Sequence, residues 1–156
     1  MARMLDAIRK FFAAPEAAAA ADDPVVAVAA LLVELARADA DYTDAERVVV
    51  EHLLAGLFDL DAAEARRARL DGEAAQARAA DLVRFTRVVK TQLSEADRVA
   101  LMEGLWSVAL SDGTRDPHED ALLRKLAPLI AVTDRDSAEA RMRALARGAG
   151  TDGGAC

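Results

Sequence analysis

Two stretches of the chain concentrate side chains that could hold an ion. Asp39-Ala40-Asp41-Tyr42-Thr43-Asp44-Ala45-Glu46 and Asp112-Gly113-Thr114-Arg115-Asp116-Pro117-His118-Glu119 both place oxygen groups at their first, third, fifth and eighth positions. The groups are Asp39, Asp41, Thr43 and Glu46 in the first, and Asp112, Thr114, Asp116 and Glu119 in the second. Alternating oxygens in a tight turn converge on one point, and carboxylate and hydroxyl oxygens suit a hard divalent cation such as Ca2+, with Mg2+ admitted. Mn2+ fits equally through its preference for oxygen with an occasional imidazole. The pattern follows only the front half of an EF-hand loop, because the late bidentate Glu of that loop has no counterpart.

The same residues have a structural explanation that needs no ion. Thr43 with Glu46, and Asp116 with Glu119, have the spacing of capping boxes. Capping leaves Asp39 and Asp112 unexplained, since a carboxylate at a helix C-terminus faces the negative end of the dipole and calls for a cation. Other chemistry has little to start from. His52 lies inside a helical pattern and His118 in a first helical turn, where solvation is its ordinary role, and neither has a serine or cysteine at a catalytic spacing. A non-enzymatic protein is expected.

The elements that must position these loops follow from apolar spacing. A helix is expected over residues 2–13, then a linker to Asp23. Pro24 behind Asp22 and Asp23 opens a helix, Val25 to Ala38, that is apolar nearly all round and therefore central. Thr43 caps a helix to about Leu57 with Val49, Val50, Leu53, Leu54 and Leu57 inward. A short helix runs from Asp61 to Leu70, Asp71-Gly72 breaks it, and another reaches Leu93 with Leu82, Phe85, Val88, Val89 and Leu93 inward. Ser94 caps a helix to Ser111 that buries Val99, Met102, Leu105, Trp106 and Ala109. Asp116-Pro117 starts one to about Ala131, and a last helix spans Arg135 to Arg147. The Gly-rich residues 148–156 read as a disordered tail.

The chain also repeats itself. Asp39 aligns with Asp112, an offset of 112 − 39 = 73, and without gaps Glu46 falls on Glu119, Val49-Val50 on Leu122-Leu123, Leu53 on Leu126 and Asp61 on Asp134. Each unit is a helix, an acidic loop and a second helix, and two such hairpins related by a pseudo-twofold axis would share one core.

Composition agrees. With 53% apolar but 4% aromatic residues in 156, and about a quarter of the chain alanine, a single all-α bundle of seven to eight helices is expected. The organisation is residues 1–23 as an amphipathic helix and linker, 24–147 as the helical domain, and 148–156 as the tail. Twenty-seven acidic against 20 basic residues give a net charge of −7, which argues against a nucleic-acid surface and favours cations or protein partners. Cys156, the lone cysteine, can close no intrachain disulfide, which points to a reducing, cytoplasmic setting. No transmembrane span is expected, because Val25 to Ala36 is interrupted by Glu34 and ends at Arg37. The interleaved charges of the N-terminal segment make no clean signal peptide. Its helix either covers the bundle through Phe11 and Phe12, the expectation preferred here, or makes peripheral membrane contact. The basic run Arg66-Arg67-Ala68-Arg69 is expected to be a solvated face, one that also leaves a bipolar surface for partner docking.

Leu35-Ala-Arg-Ala-Asp-Ala-Asp-Tyr-Thr-Asp-Ala-Glu46 and Leu105-Trp-Ser-Val-Ala-Leu-Ser-Asp-Gly-Thr-Arg-Asp-Pro-His-Glu119, with Arg84-Phe-Thr-Arg87 and Glu95 to Leu105 between them, resemble the tellurite-resistance TerB family. The related domain of membrane-anchored J-domain co-chaperones is similar. The resemblance spans about Val25 to Leu145. It implies a helical bundle with an acidic face that binds divalent cations, in proteins of the stress response at the inner membrane. One departure stands out. The family has Asp-Gly in both loops, whereas the first here reads Asp39-Ala40, so a turn needing positive φ would be strained at Ala40. The second loop, with Gly113 and Pro117, is expected to be the better organised. The alternative is a metal-free adaptor whose acidic loops are helix caps and contacts for unidentified protein partners.

Overall fold

Pro24 has no amide proton to lose, which suits it to a first helical turn, and Asp23 caps the helix it opens by accepting from Val25 N at 2.9 Å. The computed structural model describes residues 22–38, 40–111 and 116–152, the last four through the backbone alone. The helix expected over residues 2–13 and most of its linker therefore lie outside the described residues. Helix α1, Pro24–Ala36, is buried at every position except Glu34, as its all-round apolar sequence requires. It is the axis of the core.

Helix α2, Asp44–Phe58, starts on a complete capping box between Thr43 and Glu46. Its buried stripe is Glu46, Val50, Leu54 and Phe58, each four residues on from the last, while Val49, Leu53 and Leu57 flank it half-buried. Asp59 closes the helix in the left-handed conformation at φ 54°. Helix α3, Ala62–Arg78, corrects the sequence reading. Asp71-Gly72 is no break, and one helix replaces the expected short helix and the first part of the next. Glycine lowers helix propensity by only about 1 kcal/mol, and here tertiary contact decides. A Cβ on Gly72 would sit 2.4 Å from Ala29 Cβ and 2.8 Å from Ala29 C, so the glycine lets α3 lie against the α1 backbone.

Helix α4, Val83–Gln92, buries Phe85, Val88 and Val89. Helix α5, Glu95–Leu110, is capped by Ser94, whose hydroxyl accepts from Asp97 N at 3.2 Å, and buries Met102, Leu105, Trp106 and Ala109. Helix α6, Pro117–Leu129, ends through Ile130 and Ala131, the latter at φ 58°. Helix α7, Asp134–Asp152, runs past the expected end at Arg147, so Gly148 does not terminate it; a glycine weakens a helix without forbidding it. Among the described residues there are seven helices and no strand, and no helix is long and apolar enough to cross a membrane.

Packing reveals a repeat longer than the hairpin. Helix α3 lies on α1 and α2, α7 lies on α5 and α6, and α4 bridges α1 and α6. Adding 73 to the bounds of α1, α2 and α3 gives 97–109, 117–131 and 135–151, close to those of α5, α6 and α7. The unit is therefore three helices. The two units are not packed alike, since α2 lies against α5 more extensively than α6 lies against α1.

Candidate functional site

The first loop leaves α1 through two tight turns, Ala38 N to Leu35 O at 3.1 Å and Ala40 N to Arg37 O at 3.0 Å. Ala40 has φ 65°, the left-handed region that an L side chain resists by about 1–2 kcal/mol. The strain foreseen from Ala replacing Gly at this place is present. Asp41 is exposed, and Thr43 is half-buried as the cap of α2. The Thr43 hydroxyl accepts from Glu46 N at 3.2 Å, and Glu46 Oε2 accepts from Thr43 N at 3.3 Å. Glu46 is 6% exposed.

The second loop is described only from Asp116. This residue is half-buried and caps α6 by accepting from His118 N at 2.7 Å. The expected box with Glu119 does not form. A bond to the nearer amide of His118 takes the cap oxygen away from the Glu119 amide, because Pro117 at the first helical position sets the turn. Glu119 lies on the buried side of the first turn at 2% exposure. His118 is exposed. Asp39, Asp112 and Thr114 lie outside the described residues. Among the described residues, no three carboxylate or imidazole side chains gather into a metal-like cluster.

Beside the first loop stands a polar network that sequence reasoning missed. The Tyr42 ring lies between the guanidinium groups of Arg37, 5.1 Å from its centroid, and Arg47, 4.6 Å away. Its hydroxyl donates to Glu73 Oε1 at 2.7 Å. Arg69, 8% exposed, donates from Nε to Glu51 at 2.9 Å and from Nη1 to Glu73 at 2.5 Å. Gln76 joins α1 to α3, accepting from Arg37 and donating to Glu34 at 2.6 Å. Arg69 is thus no part of a solvated basic face, in contrast to exposed Arg66 and Arg67. Burial favours its neutral form, but the hydrogen bonds it donates to two carboxylates outweigh this and hold its charge more firmly. Burial also raises Glu73, yet bonds from Tyr42 and Arg69 bring it below the usual carboxylate range. The Tyr42 phenol is pushed well above its ordinary value, first by burial and then by donating to Glu73.

The missed signal was periodic. Arg69, Glu73 and Gln76 stand at i, i+4 and i+7 on α3, one helical stripe, and a break assumed at Gly72 cuts that stripe in two.

The second unit has its own polar clasp. Glu103, 8% exposed on α5, accepts from Arg143 Nε at 2.8 Å and pairs with Arg147 Nη2 at 2.7 Å. Trp106 Nε1 donates to Ser137 Oγ at 3.2 Å. These contacts fasten α7, whose described buried side chains are Ala140 and Ala144 alone, onto α5.

The oxygens present are hard ligands. The two acidic loops precede helices whose third residue is a buried glutamate in both units. A family model described as Tellurite resistance protein TerB matches residues 25–142. No curated protein and no solved structure matches the chain. The matched span begins in the first turn of α1, takes in both acidic loops and ends within α7, covering most of the sequence, and on that ground this chain belongs to the TerB family.

Proposed function

We propose that this chain is a non-enzymatic TerB-like module that takes a divalent cation, Ca2+ or Mn2+ with Mg2+ also admitted, through the loops joining α1 to α2 and α5 to α6. The candidate ligands are Asp39, Asp41, Thr43 and Glu46, and Asp112, Thr114, Asp116 and Glu119. The observation that carries the reading is the pair of buried glutamates, Glu46 and Glu119, at equivalent places behind two acidic loops. A carboxylate is buried only with compensating hydrogen bonds or charge, as Glu46 is by the Thr43 amide, and the fold keeps one at the same point of the repeat in both units. Its setting would be a cytoplasmic stress response or tellurite resistance, close to the inner membrane. Any effect on tellurite would be indirect, because carboxylate loops repel an oxyanion.

A metal-free adaptor is the second reading, favoured by the complete box on Thr43 and Glu46, which gives both side chains structural work. Melting the protein across a series of CaCl2 and MnCl2 concentrations separates the two. A cation that binds only the folded state raises Tm progressively with concentration. A Tm indifferent to both salts overturns the cation reading and leaves the adaptor.

A further inference from the structure

The groove between the second and third helices of each unit is lined by different chemistry in the two units. In the first it is a cavity of about 230 Å3 lined by Val48, Ala55, Ala62 and Ala65 with Glu51 and His52. In the second it is a cavity of about 230 Å3 lined by Trp106, Arg124, Ser137 and Arg141, together with Asp120 and Asp134. The offset of 73 places Ala138 on Ala65 and Arg124 on Glu51. The first unit satisfies its charge internally, since Glu51 receives Arg69 Nε at 2.9 Å. In the second unit the corresponding positions hold Arg124 and Met142, so the Glu51–Arg69 pair is not repeated there.

Two guanidinium groups and one hydroxyl line this cavity. Neither Arg124 nor Arg141 forms an ion pair among the described residues. The Arg141 guanidinium lies 5.5 Å from the Trp106 ring centroid, which fixes it in place, and its Nε is buried with no hydrogen-bond acceptor. A buried donor of this kind is unfavourable when left unmet. Ser137 Oγ accepts from Trp106, so its own proton remains to be given.

We infer that this cavity binds a carboxylate carried on a small apolar group. The carboxylate would lie between Arg124 and Arg141, where planar guanidinium donors match its two oxygens, and accept from Ser137. The apolar group would rest on Trp106. An external carboxylate thereby completes in the second unit the pair that the first unit makes within itself. Asp120 and Asp134 also line the cavity, so a carboxylate is held by the geometry of the guanidinium donors rather than by net positive charge, and a dianion is disfavoured. This chemistry is shared by a free acylated amino acid and by a polypeptide C-terminus. It does not rest on cation binding at the loops.

Trp106 is the only tryptophan, so its fluorescence reports directly on the cavity. The full chain is titrated with N-acetylleucine, with N-acetylleucine amide, and with a hexapeptide ending in leucine as free acid and as amide. A saturable change with the acids and none with the amides is the expected result. Arg124→Gln, on an exposed position of α6, weakens the acids about tenfold or more, the size of one charge-assisted hydrogen bond. Arg141→Gln does the same, and Arg124→Gln alone decides the matter should Arg141→Gln fail to fold. A hexapeptide tighter than N-acetylleucine identifies a polypeptide terminus as the source, and the reverse order a free carboxylate. Equal response to acid and amide, no saturable response to either, or unaltered binding by Arg124→Gln overturns the inference.

Discussion

Substituting Gly72 by alanine separates a helix breaker from a packing glycine. In a turn between two helices the added methyl would be neutral, and in an exposed helix it would stabilise by about 1 kcal/mol through propensity. In this structure it meets Ala29 Cβ at 2.4 Å, Ala29 C at 2.8 Å and Ala30 N at 3.0 Å. Two of those three atoms are backbone and cannot rotate away, so α1 and α3 must separate by about 1 Å to restore ordinary contact. They form the most extensive helix pair among the described residues, and their polar bridges from Gln76 to Glu34 and Arg37 would be stretched as well. Overpacking of this kind costs about 1–3 kcal/mol or somewhat more, which exceeds the propensity gain. A net loss of about 2 kcal/mol lowers Tm by about 4–8 °C in a chain of this size. The loss should be read by thermal melting and by urea unfolding, which gives the free energy directly. Ala29→Gly removes the opposing methyl. On its own it destabilises, but combined with Gly72→Ala the pair should be less damaging than the sum of the singles by about 1 kcal/mol. A Gly72→Ala protein as stable as the parent, or additive behaviour in the cycle, would refute the close approach.

The first loop gives a prediction of opposite sign. Ala40→Gly relieves a left-handed alanine at about 1–2 kcal/mol, less about 0.4–1 kcal/mol for the freer unfolded chain, so Tm should rise by about 2 °C; a fall would show that the turn is not left-handed. Tyr42→Phe tests the polar network through pH. The folded-state phenol has a raised pKa, so its contribution is complete below the unfolded value of about 10 and is lost as pH rises from there through the folded value. The parent should therefore lose stability above pH 10 more steeply than Tyr42→Phe, and parallel melting curves would contradict the burial of the hydroxyl. If a cation binds, Asp112→Asn should weaken it more than Asp39→Asn, because a glycine such as Gly113 can take without strain the left-handed conformation that Ala40 resists. Isothermal titration with CaCl2 ranks the two, and the opposite order would reverse the assignment of the better organised loop.

Much of the fold could be read from the chain because the governing effects were local. Pro24 behind Asp23, Thr43 with Glu46, Ser94, and Asp116 before Pro117 each satisfy a helix start with atoms a few residues away, and all four starts are where those signals place them. The burial of α1 followed from a composition apolar on every side, and the all-helical class from abundant alanine with few aromatics. The positive φ of Ala40 was implied by the resemblance to the TerB family, which has glycine at this place. The tertiary structure decided what depends on distant partners. Gly72 reads locally as an interruption, and only the approach of Ala29, far away in sequence, turns it into a contact that holds α3 in one piece. Arg69 reads as one cation in a basic run, and only Glu51 across the α2–α3 interface, together with Glu73, makes it a buried member of a network around the first loop. The second unit shows the same division. Its helices repeat the first by sequence, but the replacement of the Glu51–Arg69 pair by Arg124 and Met142 has meaning only once α6 and α7 stand beside Trp106 with a cavity between them. Periodicity and capping are properties of neighbours along the chain, whereas closeness between helices depends on every side chain that keeps them apart.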